Sequence, residues 1–323
     1  MSGEERENIN FVTLFDANFI HQGIALYESL GKYTRNFKLY VCCFDKETEE
    51  IFSGMRGIKT FSIESLENIY PDLLDVKSDR KIGEYCWTST PFVLKYCLEI
   101  EKLENCTYLD ADICFFSSPE MILNQMPKSS NVIITRHNYS QKYAYLEKQS
   151  GIYCVQFMYF NQEASSLELL NIWANQCIDW CFGYFDEKNN RFGDQKYLDF
   201  WHERPNVHIV KDVSYCSGPW NIENIAKNGN IEKIVFHHFH DIKISDRKFD
   251  IMRLLNYEKS LKYIFLYIKY INYLYKINSN LKNNGVKSIV VSKITVYIVL
   301  FAGKPYLAMK NNIKCLVKKF LKS

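Results

Sequence analysis

The chain has 323 residues, of which 47% are apolar and 24% charged, and its formal net charge is +3. That balance excludes a disordered chain and gives no overall charge that would call for nucleic acid. No run of about 18 to 20 uninterrupted apolar residues occurs, and Lys293 splits the nearest one, Ser288–Gly303, so no spanning helix is predicted.

In chain order, Ile9–Asp16 is a short apolar, β-rich run and is predicted as the first strand. The next segment has Ile20, Ile24, Leu26, Tyr27 and Leu30 at helical spacing, with Gly31 at its end. Phe37–Asp45 and Ile58–Ile63 are a second and a third buried strand. Strand, helix, strand, short helix, strand is the pattern of a doubly wound sheet with a mainly parallel core. Ser89–Leu103 is predicted as a helix capped by Ser89 or Thr90, with Pro91 in its first turn. Strands follow at Cys106–Asp112, Asn131–Asn138 and Ile152–Asn161, and helices at Ser165–Phe182 and Asp194–Arg204. Lys233–Asp241 is a late strand that ends in three histidines. Tyr257–Asn280 reads as one helix, apolar and aromatic over most of its surface. Lys262, Lys269 and Lys276 form a narrow stripe along it, with Lys259 nearby. Such a helix either packs on the protein or lies at a membrane surface, and the Lys-rich close, Lys310–Ser323, favours anionic lipid. The 11 cysteines are irregularly spaced without a CxxC pair, and the start is polar and acidic. Free thiols in a reducing cytoplasm are the expectation.

The chemistry concentrates in "TYLDADICFFSSPE", Thr107–Glu120. Side chains two apart in extended chain share a face, so Asp110 and Asp112 converge beyond the end of a strand. In open α/β sheets that is where ligands bind. Two carboxylates alone there would repel, and a divalent cation removes the repulsion. Oxygen ligands suit Mg²⁺ or Mn²⁺, which also bind diphosphate oxygens. Most Asp-x-Asp pairs only cap a turn, but a surface turn has no need of "ICFF" directly after it. His237, His238 and His240 are candidates for a further ligand, because neutral imidazole binds Mn²⁺. His238 and His240 share one strand face and His237 takes the other.

"TYLDADICFFSSPE" resembles the DxD segment of GT-A-fold glycosyltransferases. It is most similar to the retaining glycogenin-like and lipopolysaccharide galactosyltransferase group. "FVTLFDANF", "SGIYCVQFMYFN", "FGDQKYLDFW" and "FHHFHDIK" resemble further segments of that group in the same order, over roughly Asn10–Lys243. The chain is closer still to uncharacterised glycosyltransferases of bacterial surface-polysaccharide loci.

The resemblance implies an α/β GT-A fold, a Rossmann-like mixed sheet flanked by helices. The catalytic domain would span 1–249, with a helical, basic extension at 250–323. It implies Asp110, Asp112 and His238 as metal ligands, with His240 and His237 as alternates, and Mn²⁺ or Mg²⁺ as cofactor. Thr13, Phe15, Asp16, Asn18, Asp110 and Lys243 would hold the nucleotide sugar. Asp194 and Gln195 would serve at the reacting sugar, where Asp194 also suits a helix N-cap. Trp220 and Asn221 offer an acceptor-side loop. Arg136 and His137 follow a strand and would reach phosphate, and Lys95 stands loosely in place of the family's arginine.

The implied activity is metal-dependent, retaining transfer from a nucleotide-diphosphate sugar, UDP by default. The acceptor would be a glycan or lipid-linked hydroxyl in surface polysaccharide or lipopolysaccharide synthesis. No nucleic acid is expected as a partner. The setting would be cytoplasmic, with peripheral contact at the inner face of the plasma membrane through the C-terminal region. Nucleotidyl transfer would need a Gly-rich basic loop after the first strand, and "DANFIHQG" lacks one. A glycoside hydrolase would set its carboxylates ~5 Å or more apart on different elements. The non-enzyme rival is a membrane-surface binding protein built on the basic C-terminal helices.

Overall fold

The computed structural model describes residues 8–245 and 248–283, with Val296, Leu300 and Phe301 beyond them. The Lys-rich close and most of Ser288–Gly303 lie outside the described residues. The chain divides into two compact units, residues 1–238 and 239–323.

The first unit opens with β1 (Ile9–Phe15), α1 (Ile20–Tyr33), β2 (Phe37–Cys43), α2 (Lys46–Phe52) and β3 (Ile58–Ser62). It continues with α3 (Ile63–Ile69), α4 (Asp72–Lys77), α5 (Ile82–Lys95), β4 (Asn105–Leu109), β5 (Ile113–Phe115) and α6 (Glu120–Leu123). Next come β6 (Val132–Arg136), α7 (Leu146–Ser150), β7 (Tyr153–Asn161), α8 (Ala164–Asp179) and β8 (Val207–Ile209). It closes with β9 (Cys216–Ser217), α9 (Ile222–Lys227) and β10 (Phe236–His238).

Seven strands form the main sheet in the order β3-β2-β1-β4-β7-β6-β8. The first four are parallel, β7 is antiparallel to both its neighbours, and β8 is parallel to β6. The chain lays down β1, builds outward to β3, then returns to place β4 on the other side of β1. That reversal opens a crevice beyond the carboxyl ends of β1 and β4. The central strands are buried on both faces, which is why they read as continuous apolar runs. One core unites Val12, Tyr40, Phe92, Tyr108, Met158 and Trp173. A second sheet, β5-β10-β9, branches off directly after the carboxylate pair. No disulfide joins any of the described cysteines.

Several predicted boundaries are corrected. Helix α1 runs past Gly31 to Tyr33. Helix α5 starts at Ile82, seven residues before the predicted cap. Its N-terminus is held by Glu84, whose carboxylate accepts from the Lys81 N–H at 2.8 Å. Thr88, Ser89 and Thr90 lie inside the helix and donate their hydroxyls to the carbonyls of Glu84, Tyr85 and Cys86. Pro91 therefore sits mid-helix, and a π-turn at Tyr96–Ile100 follows. The segment at Asp194–Arg204 is a 3-10 helix, Lys196–Glu203, so Asp194 is not its N-cap. The late strand shortens to Phe236–His238 because Ile231–Lys233 forms a 3-10 turn.

The second unit holds β11 (Ile244–Ser245), β12 (Lys248–Phe249), α10 (Ile251–Leu254) and α11 (Ile264–Asn283). Helix α11 starts later than predicted because Lys259 turns inward. Its ammonium pairs with the fully buried Asp241 at 2.5 Å and donates to the Leu254 and Tyr257 carbonyls. Tyr267 donates to the same carboxylate. Tyr267, Tyr270, Ile271 and Leu274 are buried, while Lys262, Lys269 and Lys276 are exposed. The broad apolar face is thus covered by protein, and the outward face is the lysine stripe. No described helix is long and apolar enough to cross a membrane.

Candidate active site

Strand β4 delivers Asp110 and Asp112 to the crevice between the ends of β1 and β4. The expected extended i, i+2 arrangement is corrected: Asp110 to Ile113 forms a turn, with the Ile113 N–H donating to the Asp110 carbonyl at 3.3 Å. The turn redirects the chain into β5, the buried edge of the second sheet. That accounts for the aromatic residues behind the pair, since Phe115 packs edge-on to Phe236. Antiparallel pairing of β5 with β10 sets His238 opposite Ile113 and so beside Asp112.

His238 Nε2 lies 2.9 Å from Asp112 Oδ1 and 3.6 Å from Asp110 Oδ2. Its other nitrogen, Nδ1, is 3.0 Å from Gln156 Oε1 and donates to it. Strand β7 thereby fixes both partners, because the Gln156 carbonyl also accepts from the Asp110 N–H at 3.1 Å. Tyr108 donates its hydroxyl to Asp110 Oδ1 at 2.9 Å. Burial pushes the Asp110 pKa up; His238 opposes that rise and the Asp112 charge adds to it. Burial alone would lower the His238 pKa, but Asp112 outweighs it and the net shift is well upward. A buried carboxylate, Asp112, a half-buried one, Asp110, and an imidazole aimed at one point, with the tautomer fixed from behind, fit a hard divalent cation.

The sequence alone does not single out Gln156. The signal was a single amide inside the apolar strand "IYCVQFMYF", with no partner visible in the sequence. In Gln156→Leu, Mn²⁺ affinity falls about 10- to 100-fold because His238 loses its orienting acceptor. Titration of Mn²⁺ by electron paramagnetic resonance checks this; unchanged affinity would remove Gln156 from the site.

Asp194 is 5% exposed, and burial followed by the Asp110 charge pushes its pKa well up. Its carbonyl accepts from Trp173 Nε1 at 2.8 Å. Gln195 is half-buried beside it. Asp16 directly follows β1 and holds Asn18 through both the Asn18 N–H and side-chain amide. Thr13 is fully buried within β1. Phe15 is 2% exposed, packed over Gly23 and edge-on to Phe52, so its ring offers no face to a base.

His237 occupies the opposite face of β10 from His238 and meets the Ser217 hydroxyl at 2.7 Å, which sets it apart from the carboxylates. His240 and Lys243 belong to the second unit. There Arg253 donates to the His240 carbonyl, and the Lys243 carbonyl accepts from the Asp250 N–H. Lys95 is engaged by Glu99 and Asn171 between α5 and α8, not at the site. Arg136 stands over the Tyr153 ring. Trp220 is 4% exposed and sets its ring edge-on to His238 and His137.

His137 is 3% exposed, and its Nδ1–H donates to the Gly151 carbonyl at 3.0 Å. Burial pushes its pKa down from 6.5 to about 3. The unfolded chain takes up this proton near pH 6.5, while the folded chain resists it down to about 3. The unfolded state binds more protons in that window, so stability falls as pH drops through it, by about 1.4 kcal/mol per unit. His137→Asn makes that acid slope shallower in stepped-pH thermal melts.

No protein-family model matches the chain. Two Bacillus subtilis (strain 168) proteins described as uncharacterized are similar. YfnD is 26% identical over 272 residues, covering 81% of this chain and 87% of YfnD. YfnF is 27% identical over 252 residues, covering 72% and 82%. Among solved structures, the galactosyltransferase LgtC with donor and acceptor sugar analogs matches at a TM-score of 0.50 and 11% identity, over 72% of this chain and 87% of LgtC. The glycosyltransferase GlyE of Streptococcus pneumoniae TIGR4 matches at 0.51 and 14%, over 88% of this chain and 66% of GlyE. The fold is that of the GT-A-type glycosyltransferases.

Proposed function

We propose that this chain is a metal-dependent glycosyltransferase. It moves a sugar from a nucleotide-diphosphate sugar, UDP by default, to a glycan or lipid-linked hydroxyl with retention of configuration. The synthesis of bacterial surface polysaccharide or lipopolysaccharide is the setting this reading favours. The observation that carries it is the convergence of Asp110, Asp112 and His238 at the switch point of a sheet shared with LgtC and GlyE.

Asp112 and His238 would hold Mn²⁺ or Mg²⁺, with Asp110 beside them. When bound, the cation supplies Lewis-acid stabilisation of a leaving diphosphate. Gln156 keeps Nε2 of His238 directed at the carboxylates. Asp16 and Asn18, at the end of β1, are placed on the nucleotide side. Asp194 and Gln195 are assigned to the sugar; a carboxyl with a raised pKa donates a hydrogen bond to a sugar oxygen more readily. Titration of UDP with and without Mn²⁺ tests the reading. Manganese-dependent binding is expected; its absence for UDP, GDP and dTDP alike would overturn it.

Peripheral contact with anionic lipid is a further part of this proposal, supported by exposed Lys262, Lys269 and Lys276. Replacing all three by Gln should weaken co-sedimentation with phosphatidylglycerol vesicles about 100-fold, at about 1 kcal/mol per Lys. Equal sedimentation of the variant would end this part.

A further inference from the structure

A polar cleft of about 400 Å³ lies away from the carboxylates, in the range of small-ligand sites. Five carboxamides line it: Asn138, Asn221, Asn224, Asn228 and Asn230. Tyr139, Val213 and Ile225 give it apolar faces. Its two charged residues are of opposite sign, Glu147 and Lys227, and Lys227 is already paired with Glu223 at 2.8 Å. We infer that this cleft is a neutral-glycan subsite that seats sugars of the acceptor remote from the reacting hydroxyl.

The chemistry of the walls selects the ligand. A carboxamide donates and accepts at once, as vicinal sugar hydroxyls do. Absence of net charge gives phosphate or carboxylate no advantage. Tyr139 and the aliphatic side chains match the C–H faces of a pyranose ring.

The walls are also preorganised. Asn221 is committed to the scaffold: it accepts from the Gly218 N–H and donates to the His137 and Cys216 carbonyls. Helix α9 ends in a turn at Gly229, with φ +68, where the Asn230 N–H returns to the Ile225 carbonyl. That turn holds Asn228 and Asn230 at the rim. On the facing wall Asn138 takes φ +50, a conformation Asn tolerates better than most residues. Tyr139 stacks on His137 at 4.7 Å. The Ser140 N–H donates to the Trp220 carbonyl, and Trp220 stands edge-on to His238. Trp220 thus touches both the segment that forms the cleft wall and His238 of the carboxylate site.

The role as an acceptor subsite rests on the transferase reading; glycan binding itself does not. The test probes an array of neutral and acidic oligosaccharides with the full chain, as wild type, Asn224→Ala/Asn228→Ala, and Val213→Trp. Val213→Trp narrows the cleft from a different segment of the chain, so the test does not hang on one variant's folding. Wild type should hold neutral oligosaccharides, and both variants should bind them at least about tenfold more weakly, the double variant through the loss of two modest hydrogen bonds and Val213→Trp through lost space. Manganese-dependent UDP affinity and melting temperature should stay unchanged. No neutral glycan bound, binding confined to acidic glycans, or equal binding by all three proteins would each overturn the inference. Loss of glycan binding in the variants of a protein that never binds UDP would leave the cleft standing and remove the transferase reading.

Discussion

In Asp112→Asn, manganese-dependent UDP binding falls by at least about 100-fold, and any UDP-sugar hydrolysis falls with it. Asp112 is the carboxylate nearest His238 Nε2, at 2.9 Å, and only 8% of it is exposed. Asn keeps the size and a hydrogen-bonding oxygen but removes the charge that a hard cation needs. The substitution relieves the repulsion with Asp110 but also removes the charge that raises the His238 pKa, so stability should fall at acid pH and change little at alkaline pH, where His238 is neutral. Calorimetric titration of UDP with Mn²⁺, beside a thermal melt, reads both quantities. A variant that melts as wild type at alkaline pH yet binds no UDP assigns the loss to the site. A variant that binds normally would reduce the Asp110–Asp112 turn to a structural corner between β4 and β5. Asp110→Asn should be the milder change, since Asp110 lies farther from Nε2, at 3.6 Å, and is held by Tyr108.

Much of the sheet was legible because its order is written in local patterns. Strands β1 and β2 are largely apolar runs with helical spacing between them, and the carboxylate pair follows another such run; β3, expected to be buried, is instead a half-buried edge strand that carries Lys59 and Thr60. The alternation of side chains along "FHHFH" by itself puts His237 and His238 on opposite faces. The missing pieces depend on contacts distant in sequence. Nothing local in "KIGEYCWTSTPF" says that Glu84 reaches back to Lys81 or that three hydroxyls serve carbonyls one turn earlier. Ser89, Thr90 and Pro91 therefore read as a start while lying mid-helix. Gln156 gains meaning only when β7 lies beside β4 and β10 arrives 82 residues later. In the sequence Lys259 is only a neighbour of the lysine stripe, and the buried Asp241 alone shows why it turns inward. Phe15 sits at a strand end and could face either way until Gly23, which leaves room for its ring, is seen beneath it.

The largest loss of stability is expected in Lys196→Met. Lys196 is 6% exposed, and its ammonium lies 2.7 Å from Asp199 Oδ2, whose side chain is 10% exposed. The other oxygen of Asp199 accepts from the Ile152 N–H at 2.7 Å. Gly151 crosses directly over this carboxylate: with φ +95, a Cβ there would stand 2.8 Å from Asp199 Oδ1. The Gly151 carbonyl in turn accepts from His137. The pair therefore ties the 3-10 helix to the entry of β7 and, through Gly151, to the residues behind the site. Met fills the volume of Lys but leaves Asp199 charged and buried without its partner, which costs about 3–5 kcal/mol. Urea denaturation should show this as a lower midpoint at unchanged slope. Adding Asp199→Asn should recover a large part of the loss, because the uncompensated charge is then gone while an acceptor for the Ile152 N–H remains. The same variant separates packing from chemistry. Asp194 and Gln195 immediately precede Lys196, so loosening the helix moves both, while Asp112, His238 and Gln156 stay on their strands. Manganese-dependent UDP binding should therefore survive in Lys196→Met as sugar transfer falls. Loss of both together would instead mean that the entry of β7 also sets the position of Gln156.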